Sequence, residues 1–173
     1  MKRLCFDTES DYFKPPTSAV GSIDYHRAYL RDKQLRFDCA VVYDEETGKY
    51  HEFNDQQANE LVTMLAEADE LISHSGTRVD LIVLEHVCGQ DNIAPLFWIS
   101  HHDLFDIHNW SSLDSLARQY LPGDRLAALQ HDFDTRWKQV CTLTDHESFI
   151  AGKLAKARFD VERTYAVFMA TLP

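Results

Sequence analysis

The chain opens on a short apolar run, Leu4-Cys5-Phe6, and continues with acidic residues at alternate positions, Asp7 and Glu9. A brief apolar run of this kind predicts a buried β-strand. Side chains two residues apart on a strand point to the same side of the sheet. The pattern therefore predicts a first strand that presents two carboxylates next to each other.

Residues 35–53 have the pattern of a hairpin. Residues 35–43 are rich in Phe and Val, residues 49–53 resume an extended pattern, and turn-forming residues lie between them. This arrangement predicts two further strands joined by a turn. The preceding residues 10–34 show no sustained period and are predicted to form a long surface excursion, either a contact surface of interleaved aromatic and basic residues or a flap packed by its own tyrosines.

Helical spacing of apolar residues dominates the rest of the chain. The predicted helices are 55–68 with Asp55 as N-cap, 79–87, a helix from Ser112 to Pro122, and a C-terminal helical part that begins at a capping box in 144–147 and breaks near Ala157 or Arg158. A fourth strand is predicted at 71–73, and residues 103–107 either extend the apolar stretch 95–99 or form a fifth strand. Strands followed by alternating strands and helices predict an α/β fold, with a central mixed five-stranded sheet flanked by helices.

Length and composition favour one domain. The chain has 173 residues, of which 45% are hydrophobic, and this is enough for one full core, so residues 1–173 are expected to form a single domain. No stretch approaches the roughly 20 apolar residues of a membrane helix. The four cysteines lack the close spacing of a zinc site or disulfide framework. We expect a soluble cytoplasmic protein with no membrane partner, whose cysteines are core thiols in a reducing compartment.

The net charge of −11 argues against a protein that coats duplex nucleic acid by bulk electrostatics. Charge is unevenly distributed along the chain. Residues 1–36 contain seven Lys and Arg and five acids, a balance of +2, which leaves −13 for the remainder. A polyanion can therefore be held locally although the whole chain is acidic.

Four acidic residues lie in predicted elements that one fold can bring together. Asp7 and Glu9 belong to the first strand, Asp80 begins the helix after the fourth strand, and Asp160 lies in the last helical part. Carboxylates held side by side repel one another unless a cation lies between them. Hard oxygen donors favour Mg²⁺ or Mn²⁺ over zinc. These acids predict a site for two such ions, a pair that can clamp a phosphodiester during hydrolysis.

The acids also lie in recognisable segments. Residues 6–9 form an apolar strand ending in Asp-x-Glu, residues 71–84 a strand, a small-residue turn and a helix with an Asp, and residues 159–164 a helix with Asp-Val followed by an acid and a Thr. Residues 112–121 contain the pattern Ser-Leu-x-x-Leu-Ala. In their order and spacing these segments resemble the DEDD superfamily of 3′-to-5′ exonucleases, which shares the ribonuclease-H-like fold with polymerase proofreading subunits.

The resemblance implies a ribonuclease-H-like fold over nearly the whole chain. It also implies hydrolysis of phosphodiester bonds at the 3′ end of single-stranded DNA or RNA by a two-metal mechanism. The implied catalytic residues and ligands of two Mg²⁺ or Mn²⁺ ions are Asp7, Glu9, Asp80 and Asp160. The implied substrate-binding residues are Thr8, Ser75 and Lys156.

Two positions depart from the family's pattern. The family has a Tyr four residues, or a His five residues, before the last Asp, where this chain has Lys156 and Ala155, and a Gly-Phe-Asn-like turn is replaced by Ser73-His74-Ser75. Lys156 has several interpretations: contact with a substrate phosphate, a catalytic base, an internal cation that displaces one metal ion, or a solvent-exposed lysine. A base is disfavoured because neighbouring carboxylates stabilise the charged ammonium group.

Histidines and tryptophans offer further alternatives. The histidines that could position water in place of the missing Tyr or His are His101, His102, His108, His131 and His146. A zinc site is an alternative for His74, His101, His102 and Asp103, although these residues lack helical His-x-x-x-His spacing. The tryptophans could either stack on nucleic-acid bases or pack in the core, and they are Trp98, Trp110 and Trp137.

Three functional hypotheses account for these residues. The first is an active exonuclease whose partner is the 3′ end of a single strand. The second is a catalytically impaired relative that acts as a nucleic-acid-binding or protein-interaction module. The third is an acidic interaction protein, a partner of basic nucleic-acid machinery, whose four acids do not meet in space.

Overall fold

The computed structural model describes residues 1–10, 35–140 and 146–172, with side chains of the last segment described from residue 149. Most of the predicted excursion at 10–34, and the start of the capping box predicted at 144–147, lie outside the described residues. Within the described residues, no helix combines the length and the apolar content that crossing a bilayer requires.

The described part of the chain contains five strands and seven helices. The strands are β1 (Arg3–Ser10), β2 (Phe37–Asp44), β3 (Lys49–Asn54), β4 (Glu70–Ser73) and β5 (Ser100–Asp103). The helices are α1 (Ala58–Ala66), α2 (Asp80–Cys88), α3 (Gln90–Ile93), α4 (Leu104–Ile107), α5 (Leu113–Tyr120), α6 (Gly123–Val140) and α7 (His146–Thr171). A 3₁₀ turn, Ala94–Trp98, precedes β5.

The strands form one sheet with the order β3-β2-β1-β4-β5. Strand β1 pairs antiparallel with β2 and parallel with β4, while β2 and β3 are antiparallel and β4 and β5 are parallel. The predicted α/β class and mixed five-stranded sheet flanked by helices are confirmed, and the topology is compatible with a ribonuclease-H-like fold. The first strand of the chain is therefore the central strand of the sheet.

Because β1 is central, helices cover both of its faces. Leu4 and Phe6 are fully buried in the core layer that contains α1 and α2. Cys5 points the other way, into the layer of α5 and α7, where its Sγ lies 3.7 Å from the carbonyl oxygen of Val161. Burial of a Leu or Phe side chain contributes roughly 1.5–3 kcal/mol, so the two layers hold β1 firmly.

Two predicted boundaries are wrong. Helix α1 begins at Ala58 with Gln57 in the N-cap position, not at Asp55. The delay arises because the side chain of Asn54 accepts a hydrogen bond from the backbone of Gln56 and the side chain of Gln57 accepts one from the backbone of Asn54, which closes a turn before the helix. In the C-terminal region, α7 shows no break near Ala157 or Arg158.

The continuity of α7 has a simple cause. Residues 153–171 contain no Gly or Pro, and salt bridges with i,i+4 spacing cross the predicted break, from Lys156 to Asp160 and from Arg158 to Glu162. Ala157 is also fully buried against the sheet, so packing continues through this point.

The fifth strand is displaced from its prediction. It consists of Ser100–Asp103, whereas residues 104–107 form the short helix α4. The side chain of Asp103 accepts a hydrogen bond from the backbone N–H of Phe105 at 3.1 Å, and this N-cap ends the strand.

Helix α6 was not predicted as a separate element, because none of its residues is buried and its apolar pattern is weak.

Candidate metal centre

Three of the four predicted acids meet at the end of β1. Asp7 and Glu9 point from β1 toward α7, because residues two apart share a face of a strand. Asp160 projects from α7 to meet them, and one carboxylate oxygen from each residue lies within 4.8 Å of the others. Among the described residues this is the only group of three or more candidate metal ligands. The hypothesis that the acids do not meet in space is therefore wrong.

Asp80 approaches the same region from the opposite face of β1. It is the first residue of α2 and is buried. Its Oδ1 accepts hydrogen bonds from both the backbone N–H of Thr8, at 2.9 Å, and the hydroxyl of Thr8. The predicted substrate-binding residue Thr8 thus has its hydroxyl proton directed to Asp80, and this pair fixes the end of β1 to α2.

The cluster concentrates negative charge away from water. Burial raises the pKa of Asp7 well above its usual range, and Asp80, Asp160 and Glu9 raise it further while Lys156 opposes them. Burial likewise raises the pKa of Asp80 to about 7, against the two hydrogen bonds from Thr8. Burial raises the pKa of Glu9, although Lys156 lowers it. Each shift means that an added positive charge would stabilise the ionised carboxylates.

One oxygen of the cluster lacks a hydrogen-bond donor. Oδ2 of Asp7 is buried and has no partner among the described residues. A buried carboxylate oxygen without a donor costs free energy unless a cation contacts it. A set of carboxylate oxygen ligands, one of which has no hydrogen-bond partner, fits a hard divalent cation such as Mg²⁺ or Mn²⁺.

Lys156 bridges two carboxylates of the cluster from its exposed side. Its Nζ donates to Oε1 of Glu9 and, at 3.0 Å, to Oδ2 of Asp160. Burial lowers the pKa of Lys156, but Asp160, Asp7 and Glu9 raise it by more, so the group stays charged. Its contacts agree with the interpretation of an internal cation, its exposed fraction of 53% agrees with that of a solvent-exposed lysine, and its electrostatics disfavour a catalytic base.

Arg163 is a second cation at this site, which the sequence analysis missed. Its guanidinium donates to Oδ1 of Asp160 and also contacts Asp114 on α5. The i,i+3 spacing between Asp160 and Arg163 is the sequence signal that was available. The guanidinium lies over the ring of Phe159, 4.1 Å from its centroid, and this contact restricts its orientation.

A cavity of about 210 Å³ opens beside the carboxylates. It is lined by Asp7, His74, Ser112, Leu113, Asp114, Asp160 and Arg163. Ser112 is the N-cap of α5, the helix of the Ser-Leu-x-x-Leu-Ala pattern, so this helix supplies one wall of the cavity. His74 is a further lining residue, and its Nε2 lies 2.9 Å from the carbonyl oxygen of Ser111.

The turn between β4 and α2 is organised by Asp103. One carboxylate oxygen accepts from the backbone N–H of Ser75 at 2.7 Å, and the other accepts from the backbone N–H of Thr77 at 3.0 Å and from its hydroxyl. These bonds hold Ser75 in a left-handed conformation with φ of 67°. The predicted substrate-binding residue Ser75 therefore lies in a braced turn next to His74.

The other histidines have contacts of their own outside the acidic cluster. Nε2 of His101 lies 2.8 Å from Oγ of Ser73, and burial lowers the pKa of His101 to about 4. His102 lies near Glu70, and the rings of His108 and Tyr120 are in contact. The residues proposed for zinc do not form a metal-ligand group within the part of the chain that the structure describes. The side chain of His131 is exposed, and that of His146 lies outside the described residues.

The three tryptophans do not belong to the core. Trp98 is 90% exposed, and Trp110 and Trp137 are also exposed. The guanidinium of Arg78 lies over the ring of Trp110, 5.5 Å from its centroid. The prediction of base stacking by these residues stays a prediction.

Comparisons with known proteins indicate the fold. No family model matches the chain, and no curated protein matches it. A similar solved structure is the family B DNA polymerase from the hyperthermophilic archaeon Pyrobaculum calidifontis, with a TM-score of 0.57 and 14% sequence identity. The match covers 97% of this chain and 24% of the polymerase chain, so this chain spans about a quarter of that protein's length. At this identity the similarity is evidence for the α/β fold alone.

Proposed function

We propose that residues 1–173 form one exonuclease domain that removes nucleotides from the 3′ end of single-stranded DNA or RNA in a metal-dependent reaction. The observation that carries the proposal is the meeting of Asp7, Glu9 and Asp160, with ligand oxygens within 4.8 Å of one another, on a fold similar to about a quarter of a DNA polymerase chain. The motifs that contain these residues and the similarity of fold are independent lines of support.

In this proposal, Asp7, Glu9 and Asp160 hold Mg²⁺ or Mn²⁺. Asp80 accepts hydrogen bonds from Thr8, which lies between Asp7 and Glu9, and so adds its negative charge to the site. A divalent ion in such a site supplies positive charge that stabilises the phosphate oxygens during hydrolysis. The protein's own contribution is to hold the ligand side chains in fixed positions. Strand β1 and helix α7 supply the ligands from rigid elements, whose fixed geometry favours an organised site.

The cavity is the proposed binding place for the terminal nucleotide. Arg163 orients Asp160 at its rim, and His74 and Ser112 line its walls. The resemblance also implies substrate contacts for Ser75, which follows the lining residue His74, and for Lys156, whose Nζ contacts the lining residue Asp160. A mechanism with two ions requires that Lys156 leaves Glu9 and Asp160, because its ammonium group donates to both of them.

The test is hydrolysis of single-stranded DNA and RNA oligonucleotides labelled at the 3′ or the 5′ end, in Mn²⁺ or Mg²⁺. We expect the wild-type protein to release the 3′ label as a mononucleotide and to shorten the 5′-labelled strand stepwise. Asp7→Asn and Asp160→Asn should lose this activity, whereas the control Asp132→Asn, an exposed position on α6, should retain it. Equal hydrolysis by all variants would indicate a contaminating nuclease and contradict the proposal.

A second candidate function is favoured by one observation, the pairing of Lys156 with two candidate ligands. In that case the protein is a catalytically impaired relative that binds nucleic acid or a protein partner. Binding of a fluorescent single strand, measured by anisotropy without turnover, would favour this second function. Turnover that depends on Asp7 and Asp160 would exclude it.

A further inference from the structure

The ammonium group of Lys156 makes the two sides of the acidic cluster unequal. Nζ bridges Glu9 and Asp160, with 3.0 Å to Oδ2 of Asp160. Lys156 lies one helical turn before Asp160 on α7, so helix geometry keeps the two side chains together. A positive charge is therefore already present between two of the three candidate ligands.

The side of the cluster next to Asp7 is different. Oδ2 of Asp7 is buried without a hydrogen-bond partner among the described residues. Asp7 and Asp160 line the cavity described above, whereas Glu9 does not. The residue that carries the unsatisfied oxygen thus also lines the cavity, whereas Glu9, which Lys156 contacts, does not.

A charge count for the cluster leads to the same division. Four ionised carboxylates, those of Asp7, Glu9, Asp80 and Asp160, have a charge of −4. Lys156 contributes +1 through its contacts with Glu9 and Asp160, and Arg163 contributes up to +1, because its charge is shared between Asp160 and Asp114. The remaining charge lies between −2 and −3. One divalent cation leaves a charge of 0 to −1, whereas two such ions would leave an excess of +1 to +2, which is costly where water is partly excluded.

We propose that the site binds a single divalent cation, on the side of Asp7, and that the ammonium group of Lys156 takes the position of a second cation. The inference rests on the proposed function, because it concerns the same site. An ammonium group stabilises negative charge on a phosphate through hydrogen bonds and coulombic attraction. Unlike a second metal ion, it is present at any metal concentration.

The test is the number of Mn²⁺ ions bound per chain, measured by equilibrium dialysis on the intact protein. We expect one ion for the wild-type protein and two for Lys156→Met, which removes the charge and keeps an unbranched side chain. The first ion should also bind Lys156→Met at least tenfold more tightly, because a like charge has been removed from its surroundings. Lys138→Met, at an exposed position on α6, should bind one ion with wild-type affinity.

The outcomes separate this inference from the proposed function. Two ions in the wild-type protein, or one in Lys156→Met, would overturn the role of Lys156 and leave the proposed function standing. No bound ion in the wild-type protein and no hydrolysis would overturn both. Circular dichroism verifies that each variant is folded, and Lys156→Gln replaces Lys156→Met if the latter does not fold.

A conservative variant gives a further measurement. Lys156→Arg keeps the charge, and we expect it to bind one Mn²⁺, as the wild-type protein does. Thermal stability without metal should follow the same order, with Lys156→Arg above Lys156→Met, because the neutral variant leaves the carboxylates without this partner. Two ions bound by Lys156→Arg would contradict the inference.

Discussion

The hydroxyl and the backbone N–H of Thr8 donate to the same oxygen of Asp80, Oδ1. The two residues lie 72 positions apart in the chain, and their contact joins the central strand to α2. Thr8 lies between Asp7 and Glu9, so any movement of Thr8 also moves the two carboxylates. The contact therefore connects the stability of the fold to the geometry of the proposed metal centre.

Thr8→Val removes the hydroxyl donor and keeps the shape of the side chain. We expect the free energy of unfolding to fall by about 1–3 kcal/mol, because a buried carboxylate loses one of its two donors. Urea denaturation at neutral pH measures this loss. Thr63→Val, at an exposed position on α1, should change stability by less than about 0.5 kcal/mol, and an equal loss in the two variants would contradict the special role of Thr8.

Gly76 is required for close packing after β4. A Cβ added to Gly76 would lie 2.6 Å from Cβ of Ser73, which is fully buried. We expect Gly76→Ala to lower the free energy of unfolding by about 1–3 kcal/mol through overpacking. At Gly123 an added Cβ meets nothing within 4 Å, so Gly123→Ala should leave stability unchanged or raise it by up to about 1 kcal/mol. Equal effects at the two glycines would contradict this account.

His101 should make the protein sensitive to acid. Its pKa is lowered by burial from 6.5 to about 4 in the folded state, so the unfolded chain binds an additional proton between these two values. The stabilisation is complete above about pH 6.5 and is lost as the pH falls toward 4, at up to about 1.4 kcal/mol per pH unit. His101→Gln does not titrate, and its free energy of unfolding should fall less between pH 7 and pH 5. Parallel losses in the two proteins would contradict the assignment.

His74 is expected to assist the reaction, if the proposed function holds. A carbonyl oxygen only accepts hydrogen bonds, so the contact with Ser111 requires the proton on Nε2 of His74, and Nδ1 is then an acceptor in the neutral ring. We expect His74→Ala to lower kcat by about 100-fold, because an acceptor in the cavity can orient the attacking water. His86→Ala, at an exposed position on α2, serves as the control. Unchanged kcat in His74→Ala would assign His74 a structural role only.

Elements with a strong local signal could be predicted from the sequence. The run around Phe6 and the alternation of Asp7 and Glu9 sufficed for β1, because period-two patterns report burial on a strand. The spacing of Leu113, Leu116 and Ala117 after the N-cap Ser112 sufficed for α5. Helix α6 lacks such a signal, because it has no buried residue and contacts α7 through partly exposed groups such as Phe133.

Contacts between distant segments could not be predicted in the same way. Asp103 was assigned to a strand or to zinc, but its carboxylate braces the turn at Ser75, a contact that depends on β4 and β5 being neighbours. The presence of Asp7, Glu9 and Asp160 at one place was expected from the resemblance. The bridge from Lys156 to Glu9 joins residues 147 positions apart, and no local pattern encodes such a contact.

The unbroken course of α7 determines how fast the lysine side chain at the acidic site can rearrange. Lys156 and Asp160 lie on one rigid helix, so only the flexible stem of the lysine has to move for Nζ to leave the carboxylates. Rotamer changes of exposed side chains take picoseconds to nanoseconds, whereas a typical enzyme turnover takes about a millisecond to a second. Movement of the ammonium group toward an incoming phosphate is therefore fast compared with turnover, and crystals of the protein should take up one metal ion per chain by soaking without loss of order.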